Sequence, residues 1–155
     1  MNVWRIEKQK RLASATSGEG ARITGGRWNS PGIAAIYASE HLSFAVLEIL
    51  VHAPKPEQRL VARAVSALTI PDALIEVVPP KFIPERFGPL TAYSLPQAIG
   101  DEWLKGKRSA ALLVPTAIVP REHNLVLNPA HPDFARCRWG TFEPIDLDSR
   151  LWLVP

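Results

Sequence analysis

The run Gly25-Gly26-Arg27-Trp28-Asn29-Ser30-Pro31-Gly32 combines residue types that suit an anionic ligand. Paired glycines let the backbone pass close to a ligand or adopt positive φ. Arg27 follows them with a planar fork of donors matched to phosphate. A turn whose arginine pairs with a surface carboxylate uses the same residues, and a short glycine motif does not separate the two readings. Glu48, in the run Leu47-Glu48-Ile49-Leu50-Val51-His52, is more telling. Its neighbours one helical turn away are Phe44 and His52, where a solvent-facing glutamate would more often have lysine or arginine. His41 and His52 share its side, so this side could face a pocket; an exposed helix glutamate is the plain alternative. Tyr37 ends the strand before this helix and can lie near Glu48, although a core tyrosine with a satisfied hydroxyl would need no further explanation.

Other constellations are weaker. His41 and His52 stand eleven apart, which fits no metal motif, and Cys137 has no second cysteine to join it. A metal site is not expected. No nucleophile elbow is present, which leaves a Ser-His-Asp arrangement open but unsupported. Neither a Walker loop nor a dinucleotide-binding glycine fingerprint occurs, so a dinucleotide would not be held in the Rossmann manner. Asn128 before Pro129 reads as a turn residue, and His131 and Trp139 read as packing groups.

These residues need elements to position them. Residues 3–6 read as a first strand, 15–26 as a loop carrying four glycines, and 34–38 as a short buried strand. Ser39 is a plausible N-cap with Glu40 in the first turn. The apolar residues Leu42, Ala45, Val46, Ile49 and Leu50 predict an amphipathic helix ending near His52, with its buried stripe centred near Leu42. Residues 60–65 and 67–70 read as a strand and its continuation, 96–104 as a short helix with Trp103 on its packed side, and 110–114 as another strand. A short apolar run follows at 125–127, and 142–153 reads as a last strand. The expected fold class is α+β, with short strands and one early amphipathic helix.

Composition agrees with a single domain over 1–155. The 155 residues are 46% hydrophobic and 21% charged, a globular profile that can bury a core without staples. The 15 prolines, many in the middle third, predict short strands and irregular connections there. One cysteine excludes an internal disulfide, and no apolar run approaches membrane-spanning length, so a reducing cytoplasm is the expected location. The net charge of +3 suits an anionic ligand or an acidic partner, without the basic cluster that tracks nucleic acid.

Taken together, GGRWNSPGIAAIYASEHLSFAVLEILVH resembles the core signature of RES domains, the toxins of RES–Xre toxin–antitoxin pairs. The likeness continues in LLVPTAIVPREHNLVLNPAHPDF, similar to the family's Val-Pro-Ser segment followed by an NP-x-H turn. It closes with Phe142 and Asp148-Ser149-Arg150-Leu151, and an opening Trp4-Arg5 is also family-like. Only residues 54–109 match poorly. The resemblance implies one compact domain with a fold related to ADP-ribosyltransferases and a cleft for NAD, which is the substrate. The family's Arg, Tyr and Glu fall on Arg27, Tyr37 and Glu48. Its serine after Val-Pro falls on Thr116, which keeps the hydroxyl and adds a methyl group. Asn128 matches the NP turn and is expected to help line the cleft.

The implied activity is cleavage of the nicotinamide–ribose bond by hydrolysis, phosphorolysis or ADP-ribosyl transfer, depleting NAD and arresting growth. Glu48 would bind ribose hydroxyls and stabilise positive charge, Arg27 would grip the pyrophosphate, and Tyr37 would pack at the nicotinamide–ribose end. The implied partner is an Xre-type helix-turn-helix antitoxin whose terminal segment reaches into the cleft, with toxin self-association in the complex a further expectation. No direct contact with nucleic acid or membrane is expected. Two other classes stay open on the residues alone: a non-catalytic NAD or ADP-ribose binding module on the same fold, and a purely structural partner protein.

Overall fold

The computed structural model describes residues 1–53, 61–79, 94–119 and 121–151. Among the described residues eight strands form one mixed sheet: β1 (Asn2–Lys8), β2 (Ile36–Ser39), β3 (Arg63–Thr69), β4 (Ile75–Val77), β5 (Ala111–Pro115), β6 (His123–Leu127), β7 (Arg138–Trp139) and β8 (Glu143–Ile145). The order is β4-β5-β6-β2-β1-β3-β7, with β8 also pairing β3. Only β4 and β5 run parallel. Among the described residues three α-helices accompany the sheet: α1 (Glu19–Thr24), α2 (Leu42–His52) and α3 (Ser94–Gly106). The α+β class expected from the sequence is the observed one.

The sheet carries a core on each face. Ala111, Leu125 and Leu127 join Val3, Ile36 and Leu68 on one side, while Leu112, Val114 and Val126 join Trp28 and Trp103 on the other. Successive residues of a strand point to opposite faces. With both faces covered, β5 and residues 125–127 of β6 need apolar side chains, which explains their apolar runs.

One seam in this sheet matters for function. β1 and β3 pair along their whole length, from Asn2 opposite Thr69 to Lys8 opposite Arg63. β1 and β2 meet only at Trp4 opposite Ser39. Beyond that pair the two strands diverge and a cleft opens. The Arg5 guanidinium spans the gap, donating from Nη1 to Tyr37 O at 2.7 Å and from Nη2 to Glu7 Oε2 at 2.6 Å.

Several local expectations need correction. The stretch 15–26 is not all loop, because α1 forms within it between Gly18 (φ 74°) and Gly25 (φ 71°). Left-handed backbone at both glycines lets so short a helix start and stop sharply. Ser39 does not cap α2: His41 holds that position, and Ser39 belongs to β2. The buried side of α2 is also rotated from the expected stripe. Phe44 is 0% exposed and Ala45 7%, whereas Leu42, Val46, Ile49 and Leu50 are half-buried. Nor is α2 the sole good helix, since α3 spans 13 residues around the expected 96–104 and buries Trp103. The last strand is short, covering Glu143–Ile145, with a 3-10 turn at Ser149–Leu151. Leu60, residues 152–153 and Pro54, Pro56, Pro80, Pro84 and Pro89 lie outside the described residues.

Candidate active site

The cleft at the β1–β2 seam has a volume of about 830 Å³. Four of the five residues expected at a site line it: Arg27, Tyr37, Glu48 and Thr116. Each arrives from a different element, so the constellation is a product of the fold.

Arg27 sits in the turn after α1, and that turn is fixed from both sides. Gly26 N donates to Asn29 O at 2.8 Å to close it. The Tyr37 hydroxyl accepts from Trp28 N at 3.0 Å and donates to Asn29 Oδ1 at 2.7 Å. Asn29, fully buried, donates in turn to Ala21 O and Ile33 O, each at 2.9 Å. On the opposite side α3 holds the same turn: Gln97 Nε2 donates to Gly26 O at 2.9 Å, and Ser30 N donates to Asp101 Oδ1 at 2.8 Å. Glycine is required at two contacts. A Cβ on Gly26 would fall 2.5 Å from the Tyr37 hydroxyl, and one on Gly100 would fall 1.9 Å from Trp28 O. Tyr37 thus anchors the Arg27 turn through its hydroxyl while it lines the cleft.

Glu48 enters from α2. At 100° per residue it lies about 40° around the helix from Phe44 and about 60° from Ala45, on the packed side. The helix rests on β1 and β2, and this side looks into the seam between them. Its carboxylate is held at both oxygens. Asn124 Nδ2 donates to Oε1 at 2.6 Å, and His52 Nε2 lies 3.2 Å from Oε2. The hydrogen bond to Glu48 raises the His52 pKa above its ordinary value, against burial and the repulsion of Arg27. Arg27 therefore acts on the same imidazole as Glu48, which ties the phosphate-type donor to the carboxylate in one cleft.

Thr116 follows β5 and is buried. Its Oγ1 accepts from Ile118 N at 2.9 Å and Val119 N at 3.3 Å, a hydroxyl-capped turn that leaves its O–H to donate. Asn128 is the exception among the expected residues and does not line the cleft. Its side chain is buried at the end of β6, with Nδ2 donating to Leu104 O at 2.8 Å and Oδ1 accepting from Ala130 N at 3.0 Å. Both ends of the amide tie a turn to α3, so the Asn-Pro element is structural here.

The asparagine that meets the carboxylate is Asn124, which the sequence reading passed over. The one signal available was a polar residue beside an apolar strand run. Arg63 was equally inconspicuous, since a single arginine in a strand carries no pattern, and Arg5 stood out only as part of the family-like opening Trp4-Arg5. Both line the cleft with Lys8 and Arg11. Burial lowers the pKa of Arg5 and of Arg63, with Glu7 opposing the effect in each case. Partly desolvated guanidinium groups gain from an incoming anion, because its charge replaces lost hydration. Among the described residues, no group of three or more His, Cys, Asp or Glu is arranged to hold a metal ion. No described helix is long and apolar enough to cross a membrane.

Comparison with known proteins gives a consistent neighbourhood. The RES domain family model matches residues 2–148. A protein named Toxin Res from Photorhabdus laumondii is 37% identical over 153 residues, covering 97% of this chain and 97% of its own length. A protein named Prs ADP-ribosylating toxin from Sphingobium sp. is 40% identical over 135 residues, covering 84% of this chain and 83% of its own. A chain of the M. tuberculosis MbcT–MbcA toxin–antitoxin complex superposes with a TM-score of 0.75 at 22% identity, covering 97% of this chain and 86% of that one. That likeness is one of fold.

Proposed function

The chain belongs to the RES domain family, and we propose that it is the enzymatic toxin of a bacterial toxin–antitoxin pair, cleaving the bond between nicotinamide and ribose in NAD. The observation that carries the reading is the Glu48 carboxylate, held at both oxygens inside a cleft that also carries Arg5, Arg27, Arg63, Lys8 and Arg11, while Glu7, another carboxylate there, is paired with Arg5. The cations suit a pyrophosphate, and the Glu48 carboxylate, which no arginine or lysine among the described residues pairs, suits a sugar that turns cationic. The names of the relatives from Photorhabdus and Sphingobium support the same reading.

In this proposal Arg27 grips the pyrophosphate bidentately, and Tyr37 packs at the nicotinamide–ribose end. The C–N glycosidic bond breaks with its electron pair leaving on nicotinamide, which departs neutral. Positive charge builds on the ribose, where Glu48 binds hydroxyls and stabilises it. Thr116 offers its hydroxyl to the ligand. An acceptor then adds to the ribose carbon. Water would give hydrolysis, inorganic phosphate would give phosphorolysis, and a protein side chain would give ADP-ribosyl transfer.

The partner in this reading is an antitoxin of Xre type whose terminal segment enters the cleft and competes for Arg27. An acidic group or terminal carboxylate would be drawn to this cationic site. Incubation of the purified protein with NAD, with separate trials of water, phosphate and added protein as acceptor, tests the activity and identifies the product. Release of nicotinamide supports the proposal. Tight NAD binding without release would instead make the chain a binding module.

A further inference from the structure

Glu48 reaches the cleft on a side chain with three rotatable bonds, and its carboxylate can serve a ribose only if its position is fixed before the substrate arrives. Oε1 is fixed by Asn124, from a strand 76 residues away in sequence. Asn124 stands opposite Ser39 in the β2–β6 register and opposite Val114 in the β5–β6 register. Its own orientation is settled by its two partners. Ser39 Oγ donates to Asn124 Oδ1 at 2.8 Å, and Glu48 Oε1, which can only accept when ionised, takes the amide N–H at 2.6 Å. Turning the amide over would set two oxygens against each other at Glu48. The backbone adds a further clasp beside this relay, because Glu40 N donates to His123 O at 3.2 Å. Flanking side chains meet as well, with His123 Nδ1 3.3 Å from Glu40 Oε2 and His41 Nδ1 3.5 Å from Glu122 Oε2. The start of α2 and the start of β6 are thereby locked together.

We propose that Asn124 is a positioning residue for the reaction: relayed from Ser39, its amide pins Oε1 of Glu48, so that the carboxylate, met at Oε2 by the exposed His52, is set in place for the substrate. The inference rests on the role given above to Glu48. Nothing in the motif Gly25–His52 contains this residue, and Asn128, four positions along, faces away into α3.

Three variants of the full chain test it, read by nicotinamide release at saturating and limiting NAD. Asn124→Ala leaves Glu48 held only by the exposed His52, and a displacement of about 1 Å is enough to cost about a hundredfold in rate. The expected result is a fall in kcat of roughly 10–100-fold, with KM changed much less because Arg27 and Tyr37 are untouched. Asn124→Asp keeps the shape and replaces the donor by an oxygen. Two carboxylates at this separation cannot both ionise, so the pair keeps a proton to higher pH and the acid limb of the kcat profile moves upward. His52, 3.2 Å from Oε2, and the cleft cations Arg5, Arg27 and Arg63 are the same in every variant. A merely structural asparagine would lower the melting temperature without moving that limb. If Asn124→Ala does not fold, the isosteric Asn124→Asp carries the test alone. An unmoved limb and wild-type kcat in Asn124→Asp, beside an inactive Glu48→Gln, would overturn this inference and leave the role of Glu48 standing. A fully active Glu48→Gln would remove that role and this inference together.

Discussion

His52 Nε2 lies 3.2 Å from Glu48 Oε2, one turn further along α2, so the carboxylate in the cleft is paired within its own helix. The contact raises the His52 pKa, while burial and Arg27 oppose it. A pKa raised in the folded state stabilises the fold fully below the ordinary imidazole value and loses that contribution as pH rises through the raised value. The His52 side chain is 68% exposed, so the pair is worth about 0.3–0.5 kcal/mol, as exposed i,i+4 pairs are. Unfolding of wild type and His52→Gln in urea should therefore show a small wild-type advantage near pH 6 that disappears toward pH 9, both pH values being about the ordinary imidazole range and above it. An advantage that grew with pH would mean the imidazole is held neutral.

Gly100 allows α3 to touch the Arg27 turn backbone to backbone. A methyl group there would lie 1.9 Å from Trp28 O, and a main-chain carbonyl cannot rotate away as a side chain can. Gly100→Ala should destabilise the protein by about 3 kcal/mol, at the upper end of overpacking costs, even though alanine favours helix. It should also raise the KM for NAD, because the displaced turn carries Arg27. Urea unfolding and steady-state kinetics measure the two effects. Unchanged stability would show that α3 is not tight against this turn.

Arg27→Ala should weaken NAD binding strongly, and Arg27→Lys should not restore it in full. Lysine keeps the charge and loses the planar two-point grip. Calorimetric titration of NAD into each variant on a turnover-dead background makes the comparison. Equal affinity for arginine and lysine would mean that the site asks only for a point charge.

What could be read from the sequence followed physical lines. β5 and the 125–127 part of β6 were legible because a strand segment buried on two faces must be apolar, while β1 and β2 showed only as short partly apolar runs. Arg27, Tyr37, Glu48 and Thr116 were legible as a group only through the family likeness, and the cleft at the β1–β2 seam collects all four. The buried side of α2 was not legible. Its sequence, Leu42–His52, is apolar almost all round, so periodicity could not say which side packs, and contact with β1 and β2 settled the matter in favour of Phe44 and Ala45. The short helix α1 was hidden by glycines that read as loop and in fact bound it. Asn124 was invisible for a different reason: its partners Ser39 and Glu48 are remote in sequence, and only strand register brings them together.

If Glu48 acts on the ribose as a carboxylate, Glu48→Gln must all but stop turnover without unfolding the protein. Glutamine keeps the length and shape of the side chain and removes the charge, so stability and NAD affinity should stay close to wild type. Nicotinamide release should fall by about two to three orders of magnitude, the scale set by losing one preorganised electrostatic contact in a transition state. Nicotinamide release at the wild-type rate from a folded Glu48→Gln protein would contradict the account.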